Sequence, residues 1–273
     1  MTDVSKNREY RISLISYLSL FLNKLITYSS ILTRWRPDNL SYERVFDRQA
    51  LPMIWDYGEK NPFIEDKNSL YYQNSIETLS WLSKLSNFAN VSNFSATSLP
   101  YDDNYFDAIF TDPPYYDNIM YSELSDFFYV WLKRSIGDLY PELFSTPLTP
   151  RSQEIVVNPV RHGNTKTSKE FFEKNIYNAF KEMNRVLKTN GILLVVYTHK
   201  STLDAGFVVT ATWPIDTEMK SRLNAKNTAS LASSIYIVAR KVEKEELGWF
   251  EEIKNEIKDH LEKKLDRLWK ERL

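Results

Sequence analysis

Phe106-Asp107-Ala108-Ile109-Phe110-Thr111-Asp112-Pro113-Pro114-Tyr115 carries the strongest structural signal in the chain. Its first six residues, rich in aromatic and aliphatic side chains, predict a short strand. Asp112 then stands where that strand ends. Two successive prolines fix φ and remove two backbone donors, so the chain leaves the strand through a stiff turn whose carbonyls are released from any ladder. The Asp112 carboxylate and the Pro113 carbonyl form a pair of acceptors. Such a pair suits the two N–H groups of an exocyclic amine, whose lone pair it would localise, and Tyr115 adds a flat face.

Outward from this turn the periodicity changes. Upstream, helical patterns dominate to about residue 90, including residues 75–88 with Ile76, Leu79, Leu82 and Leu85 in helical spacing. The run 12–32 is apolar but broken by Ser13, Ser16, Ser19, Asn23 and Lys24. Its Leu14, Leu18, Leu22 and Leu25 predict a core-facing or partner-facing helix, not a membrane span. Residues 93–97 and 106–111 read as short strands, 124–134 and 171–187 as helices. Lys188-Thr189-Asn190-Gly191 reads as a helix stop, leading into Ile192-Leu193-Leu194-Val195-Val196-Tyr197, a continuous apolar run expected to be buried on both faces. Residues 207–213 and 234–240 predict the last two strands. Helices alternating with apolar strands give an α/β class. Trp249, Ile253, Ile257, Leu261, Leu265 and Leu268, with charges between them, predict a long amphipathic C-terminal helix. The expected organisation is a helical region over 1–90, an α/β core over 91–243 and the C-terminal helix over 244–273.

Composition narrows the chemistry. With 273 residues, 42% of them hydrophobic, the chain can bury a full core. No cysteine is present, which excludes disulfides, thiolate catalysis and cysteine-rich zinc sites. His162, His199 and His260 have no metal-ligand spacing, so no metal is expected. The absence of cysteine and of a targeting segment makes the cytoplasm the expected compartment, with no membrane partner. A net charge of -1 confines any nucleic-acid contact to a local patch. The best candidate is 147–169, where Arg151, Arg161, Lys166 and Lys169 face only Glu154 among prolines; it reads either as a phosphate-binding loop or as a solvated one.

Asp112-Pro113-Pro114-Tyr115 resembles the catalytic motif of S-adenosylmethionine-dependent amino-methyltransferases that act on adenine N6 and on some guanine N2 positions in RNA. The longer strings Leu99-Pro100-Tyr101, Asp112 to Asp117 and Ser125-Asp126-Phe127-Phe128-Tyr129-Val130-Trp131-Leu132 are similar to a family of large, mostly prokaryotic adenine-specific DNA methylases whose N-terminal region carries a domain of unknown function. Asp47-Arg48-Gln49-Ala50-Leu51-Pro52-Met53, Trp55-Asp56, His199-Lys200-Ser201-Thr202, Trp213-Pro214-Ile215-Asp216-Thr217-Glu218 and Ser230-Leu231-Ala232-Ser233-Ser234 extend the similarity over roughly residues 10–240. It corresponds to a middle-to-late portion of the family's usual length.

The resemblance implies a partial or truncated Rossmann-like methyltransferase sheet with helical N- and C-terminal extensions, S-adenosylmethionine as cofactor and DNA as partner, with RNA as the alternative. It makes Asp112, Pro113, Pro114 and Tyr115 the catalytic corner and aligns Thr97 and Ser98 with the region that touches the adenosine of the cofactor. Tyr116, Asp117 and Asn118 read as contacts to a flipped base or as plain turn formers. His199 and Lys200 close the next long strand, where ligands gather in open α/β sheets, and join Arg151 and Arg161 as candidate substrate contacts. Two features depart from the family. Six glycines, at 58, 137, 163, 191, 206 and 248, make no G-x-G, so the glycine-rich cofactor loop is missing. Between Thr202 and Ala205, where the family has a short helix, only Leu203 and Asp204 stand. These departures keep a second reading open, a degenerate or split methyltransferase-like subunit that lacks its own cofactor loop and binds a partner or nucleic acid, with a second subunit or another copy of the chain as possible partner.

Overall fold

The computed structural model describes residues 8–37, 40–43, 45–46, 54, 58–59, 61–64, 72–114, 116, 119–196, 201–215 and 234–242, together with 254, 258, 261 and 262. The chain divides into two units, one built from Met1–Ser95 and Pro114–Ile176, the other from Ala96–Pro113 and Tyr177–Leu273.

The first unit is mainly helical. It holds α1 (Arg8–Ile26), the short antiparallel pair β1 (Trp35–Arg36) and β2 (Ser41–Tyr42), α2 (Tyr72–Leu82), α3 (Tyr121–Ile136), α4 (Pro159–His162) and the first half of α5 (Thr165–Val186). The expected leucine stripe of α1 faces outward. Leu14, Leu18 and Leu22 are exposed, whereas Ser19 is buried and Ser16 half-buried on a helix that packs against α3. Both hydroxyls donate to the carbonyl one turn back, Ser16 to Ile12 and Ser19 to Ile15, each at 2.8 Å. A satisfied serine can be buried, and its small size lets a second helix come close. The Ser16 hydroxyl also meets the Tyr140 hydroxyl at 2.9 Å.

Helix α2 ends at Leu82, short of the expected residue 88. Lys84 and Leu85 turn back to the carbonyls of Trp81 and Leu82, three residues earlier, which tightens the last turn. Ser83 donates its hydroxyl to the Ser80 carbonyl. Serine and asparagine side chains compete in this way for the helical backbone, and Ser83, Ser86 and Asn87 crowd the exit. At α5 the difference runs the other way. The helix begins six residues before the expected 171 because Asn164 caps it, its side-chain oxygen accepting from the Thr167 N–H at 3.0 Å.

The second unit carries a mixed sheet of four strands in the order β3-β4-β6-β5, with β3 (Phe106–Thr111), β4 (Leu187–Val196), β5 (Phe207–Ile215) and β6 (Ser234–Lys241). β3 runs parallel to β4, and β6 lies antiparallel between β4 and β5. The architecture is therefore α/β. The expected strand over 93–97 does not form; Ser95 and Ser98 make only isolated bridges around a turn. Its two asparagine and serine positions favour local backbone bonding over a ladder. The expected helix stop is instead part of β4. Pairing jumps from Phe106↔Leu187 to Ala108↔Ile192, so Lys188-Thr189-Asn190-Gly191 bulges from the strand, and Gly191 does not adopt positive φ. A single helical turn, α6 (Ser201–Asp204), occupies the place where two residues had replaced a helix. Pro214 is tolerated because β5 is an edge strand.

One face of this sheet is closed. Leu193, Val195, Ile237, Ala239 and Phe207 are buried there, and the same unit buries Ala179, Phe180 and Val186 of α5. The other face is open: Phe110 is 66%, Ile192 36% and Trp213 58% exposed. The expected burial of β4 on both faces is thus met on one side; on the other, Val196 at the strand end is buried but Ile192 is exposed and Leu194 half-buried. Among the described residues, no helix is long and apolar enough to cross a membrane. The expected C-terminal helix falls largely outside the described residues; Lys254, Lys258, Leu261 and Glu262 within it are helical and exposed.

Candidate active site

Within the sheet unit, Asp112 and Pro113 follow β3 directly, and Thr111 pairs in parallel register with Val195, one residue before Val196 at the end of β4. Two parallel strands therefore present their carboxyl ends side by side, the position at which open α/β sheets collect ligands. Asp112 is exposed and Pro113 buried. A carboxylate open to solvent beside a buried residue that lacks an N–H fits an acceptor site anchored on a firm base.

The approach to β3 is held by α5. Arg185 donates to the carbonyls of Leu99 and Tyr101 at 2.9 and 2.8 Å and pairs with Asp103 at 2.8 Å. Glu182 accepts from the Leu99 N–H at 3.0 Å and from the Arg185 guanidinium. Hydrogen bonding to Arg185, aided by the Leu99 N–H and opposed by burial, holds the Glu182 carboxyl below its ordinary range. Bonds to Glu182 and Asp103 raise Arg185 further above its usual value. Asn104 takes a left-handed φ of 57°, which asparagine tolerates, and donates its backbone N–H to the Arg185 carbonyl. Residues 99–104 are thus fixed before the strand starts. Thr97 and Ser98, just upstream, lie in a turn; Thr97 is half-buried and Ser98 exposed. At the end of β4, Ser201 and Thr202 are buried. His199 and Lys200 lie outside the described residues.

The second half of the corner belongs to the helical unit. Pro114 is half-buried there, and Tyr115, Asp117 and Asn118 lie outside the described residues. Tyr116 adopts φ 57°, a conformation rare outside glycine and asparagine. Two contacts hold it: its carbonyl accepts from the Val157 N–H at 3.0 Å, and its ring meets buried Phe172 edge-to-face at 5.3 Å. These contacts give Tyr116 a packing role in the turn.

Arg151 and Arg161 find partners inside the same unit. Ser122, Asp126, Tyr129 and Lys133 form one stripe of α3 that straps down residues 146–161. Asp126 accepts from Thr149 and pairs with Arg151, and Tyr129 and Lys133 both donate to the Thr146 carbonyl. Arg161 bonds Glu154 at 2.7 Å, Glu123 at 2.6 Å, and the Ser122 hydroxyl and Arg151 carbonyl at 3.1 Å each. Glu154 also accepts from the Ser122 N–H, capping α3, whose own N-cap residue Met120 makes no side-chain capping bond. Burial works to raise the Glu154 carboxyl, but bonds from Ser122 and Arg161 outweigh it and hold the group low. Burial likewise works to lower Arg161, and Glu154 and Glu123 reverse that. Both guanidinium groups are engaged by carboxylates of the same unit, which gives each of them a structural tie. Lys166 and Lys169 remain exposed on the first turns of α5.

The Glu182–Arg185 clamp and the Glu154 cap went unpredicted. An acidic residue three before an arginine on a helix was visible for the first; the second joins residues 32 apart and left no local trace. Among the described residues, no group of histidine and acidic side chains could hold a metal. No family model matches the chain, and no curated protein matches it.

Proposed function

We propose that the chain is an S-adenosylmethionine-dependent amino-methyltransferase acting on adenine N6 of DNA in the cytoplasm, on a Rossmann-like sheet of which it supplies one part. The observation that carries this reading is the exposed Asp112 carboxylate at the carboxyl end of a strand with a parallel neighbour. Asp112 and the Pro113 carbonyl accept the two N–H groups of the adenine amine, which localises its lone pair for attack on the sulfonium methyl. The base is extruded from the duplex into the corner, and Tyr115 offers it a stacking face. Rate enhancement comes from holding amine and methyl in line and from acceptors aimed at the charge that develops on nitrogen. Thr97 and Ser98 are assigned to the cofactor's adenosine, and Tyr116, Asp117, Asn118, His199 and Lys200 to the rim.

Transfer of a labelled methyl group to duplex DNA, with an RNA of the same sequence as comparison, tests the reading. Wild-type transfer lost by at least 100-fold in Asp112→Ala is the expected result. Transfer unchanged in that variant removes Asp112 from the mechanism. A second reading is favoured by the glycines, no two of which lie closer than 15 residues. A split enzyme would draw the cofactor loop from a second polypeptide. Calorimetric titration of S-adenosylmethionine into the chain separates these readings: heat of binding supports the self-sufficient enzyme, and its absence leaves the split enzyme and a degenerate subunit that binds a partner or nucleic acid.

A further inference from the structure

Strands of a parallel pair are ordinarily covered on both faces. Here one face of the sheet is closed and the other presents Phe110, Ile192, Leu194, Tyr236, Val238 and Trp213 across all four strands. Phe110 and Tyr236 approach across this face, with ring centroids 6.2 Å apart. Isolated exposed side chains need no explanation, but a contiguous apolar sheet face does.

The sequence of the same unit carries a second apolar stripe. Trp249, Ile253, Ile257, Leu261 and Leu265 recur every four residues along the sequence, and Leu261, which is helical, is 52% exposed. Lys254, Lys258 and Glu262, also helical and exposed, mark the neighbouring polar stripe. The two surfaces match in size. A helix over 249–268 would be about 30 Å long, and ten-residue β4 is of comparable length. Only residues 242–248 separate β6 from Trp249, and seven residues reach about 25 Å when extended. Four strands span only about 14 Å across, so every part of the face is within reach. A tether this short also gives the stripe an effective concentration near the millimolar range, which favours it over any dilute partner.

We propose that the C-terminal apolar stripe, from Trp249 to Leu265, docks along the open face of the β3-β4-β6-β5 sheet and closes the unit as a three-layer α/β body. This assignment is independent of the catalytic reading. It also bears on the corner: Phe110 stands two residues before Asp112, so the docked helix would border the strand end that carries the carboxylate.

The cysteine-free sequence allows a direct test in the full chain. Trp213→Cys combined with Ile257→Cys joins the face to the stripe; Trp213→Cys with Asn255→Cys joins it to the opposite, polar side of the helix. Each pair is treated with a short bis-maleimide at micromolar protein. Docking predicts an internal cross-link that forms at least fivefold faster from position 257 than from 255 and does not change on dilution. Equal rates from the two positions would mean a tethered but undocked segment and would overturn the proposal. So would the absence of a link, or cross-linked dimers that vanish on dilution, which would identify a second copy as the occupant. An Ile192→Cys and Ile257→Cys pair repeats the measurement on another strand and guards against a local effect at Trp213.

Discussion

Replacing Arg161 with alanine separates a structural tie from a nucleic-acid contact. The side chain is 15% exposed, as is that of its partner Glu154. Breaking a fully buried ion pair costs about 3–5 kcal/mol and an exposed one about 0–1 kcal/mol. Arg161→Ala also removes donors to Glu123, Ser122 and the Arg151 carbonyl, but Glu154 keeps both of its Ser122 bonds and its charge is not orphaned. The expected loss is therefore intermediate, about 2–3 kcal/mol, read by denaturant titration as a lower midpoint at unchanged slope. DNA affinity measured across a salt series supplies the second readout. Each phosphate contact contributes about 0.9 to the slope of log affinity against log salt. Because the guanidinium is already engaged within the protein, the slope in Arg161→Ala should stay within about 0.3 of wild type. Stability unchanged to about 0.5 kcal/mol, together with a slope reduced by nearly one, would refute the argument and return Arg161 to the phosphate-binding role.

Three other outcomes are expected. The Glu154 carboxyl is held below its ordinary value in the folded chain, so its contribution is present above that ordinary value and is lost as pH falls through the lower folded one; the stability gap between wild type and Glu154→Gln should hold from pH 7 to about 5 and shrink below about 4.5 in acid titration. On α1, Leu18→Glu should change stability by less than about 0.5 kcal/mol, whereas Ser19→Leu should cost about 1–3 kcal/mol by overpacking the buried serine face; the reverse order, measured by thermal melting, would mean the helix is turned the other way. Gly206 sits at φ 87° ahead of β5, and Gly206→Ala should destabilise by about 1 kcal/mol or more in the same assay.

What could be read from the residues follows from how local the causes are. Strand β3, helix α3 and strands β5 and β6 were legible because each carries its own period or β-rich run. The corner was placed at a strand end for the same reason. The orientation of α1 was not: leucine spacing left a core-facing and a partner-facing stripe open, and the stripe faces outward because Ser16 and Ser19 satisfy their hydroxyls within the helix and so make the better buried face. The bulge at residues 188–191 resembles a helix stop in composition, and only pairing with β3 shows that the chain stays in the sheet. Arg151 and Arg161 looked like a basic patch because Glu123 and Asp126, their partners, lie 38 and 25 residues away in sequence. Charge counted along a segment misses counter-charge brought in by folding.

The parallel pairing of β3 with β4 has a consequence for biogenesis. Thr111 meets Val195, 84 residues later in the chain. At roughly 5–20 residues per second, the ribosome delivers the second strand about 4–17 s after the first. During that delay the nascent β3, with Phe106 and Phe110 on one side and nothing to hydrogen-bond, is an adhesive ribbon. The acids beside it, Asp102, Asp103 and Asp112, and Asp107 within it give it the like-charge repulsion that keeps neighbouring polysomal chains apart until its partner is synthesised.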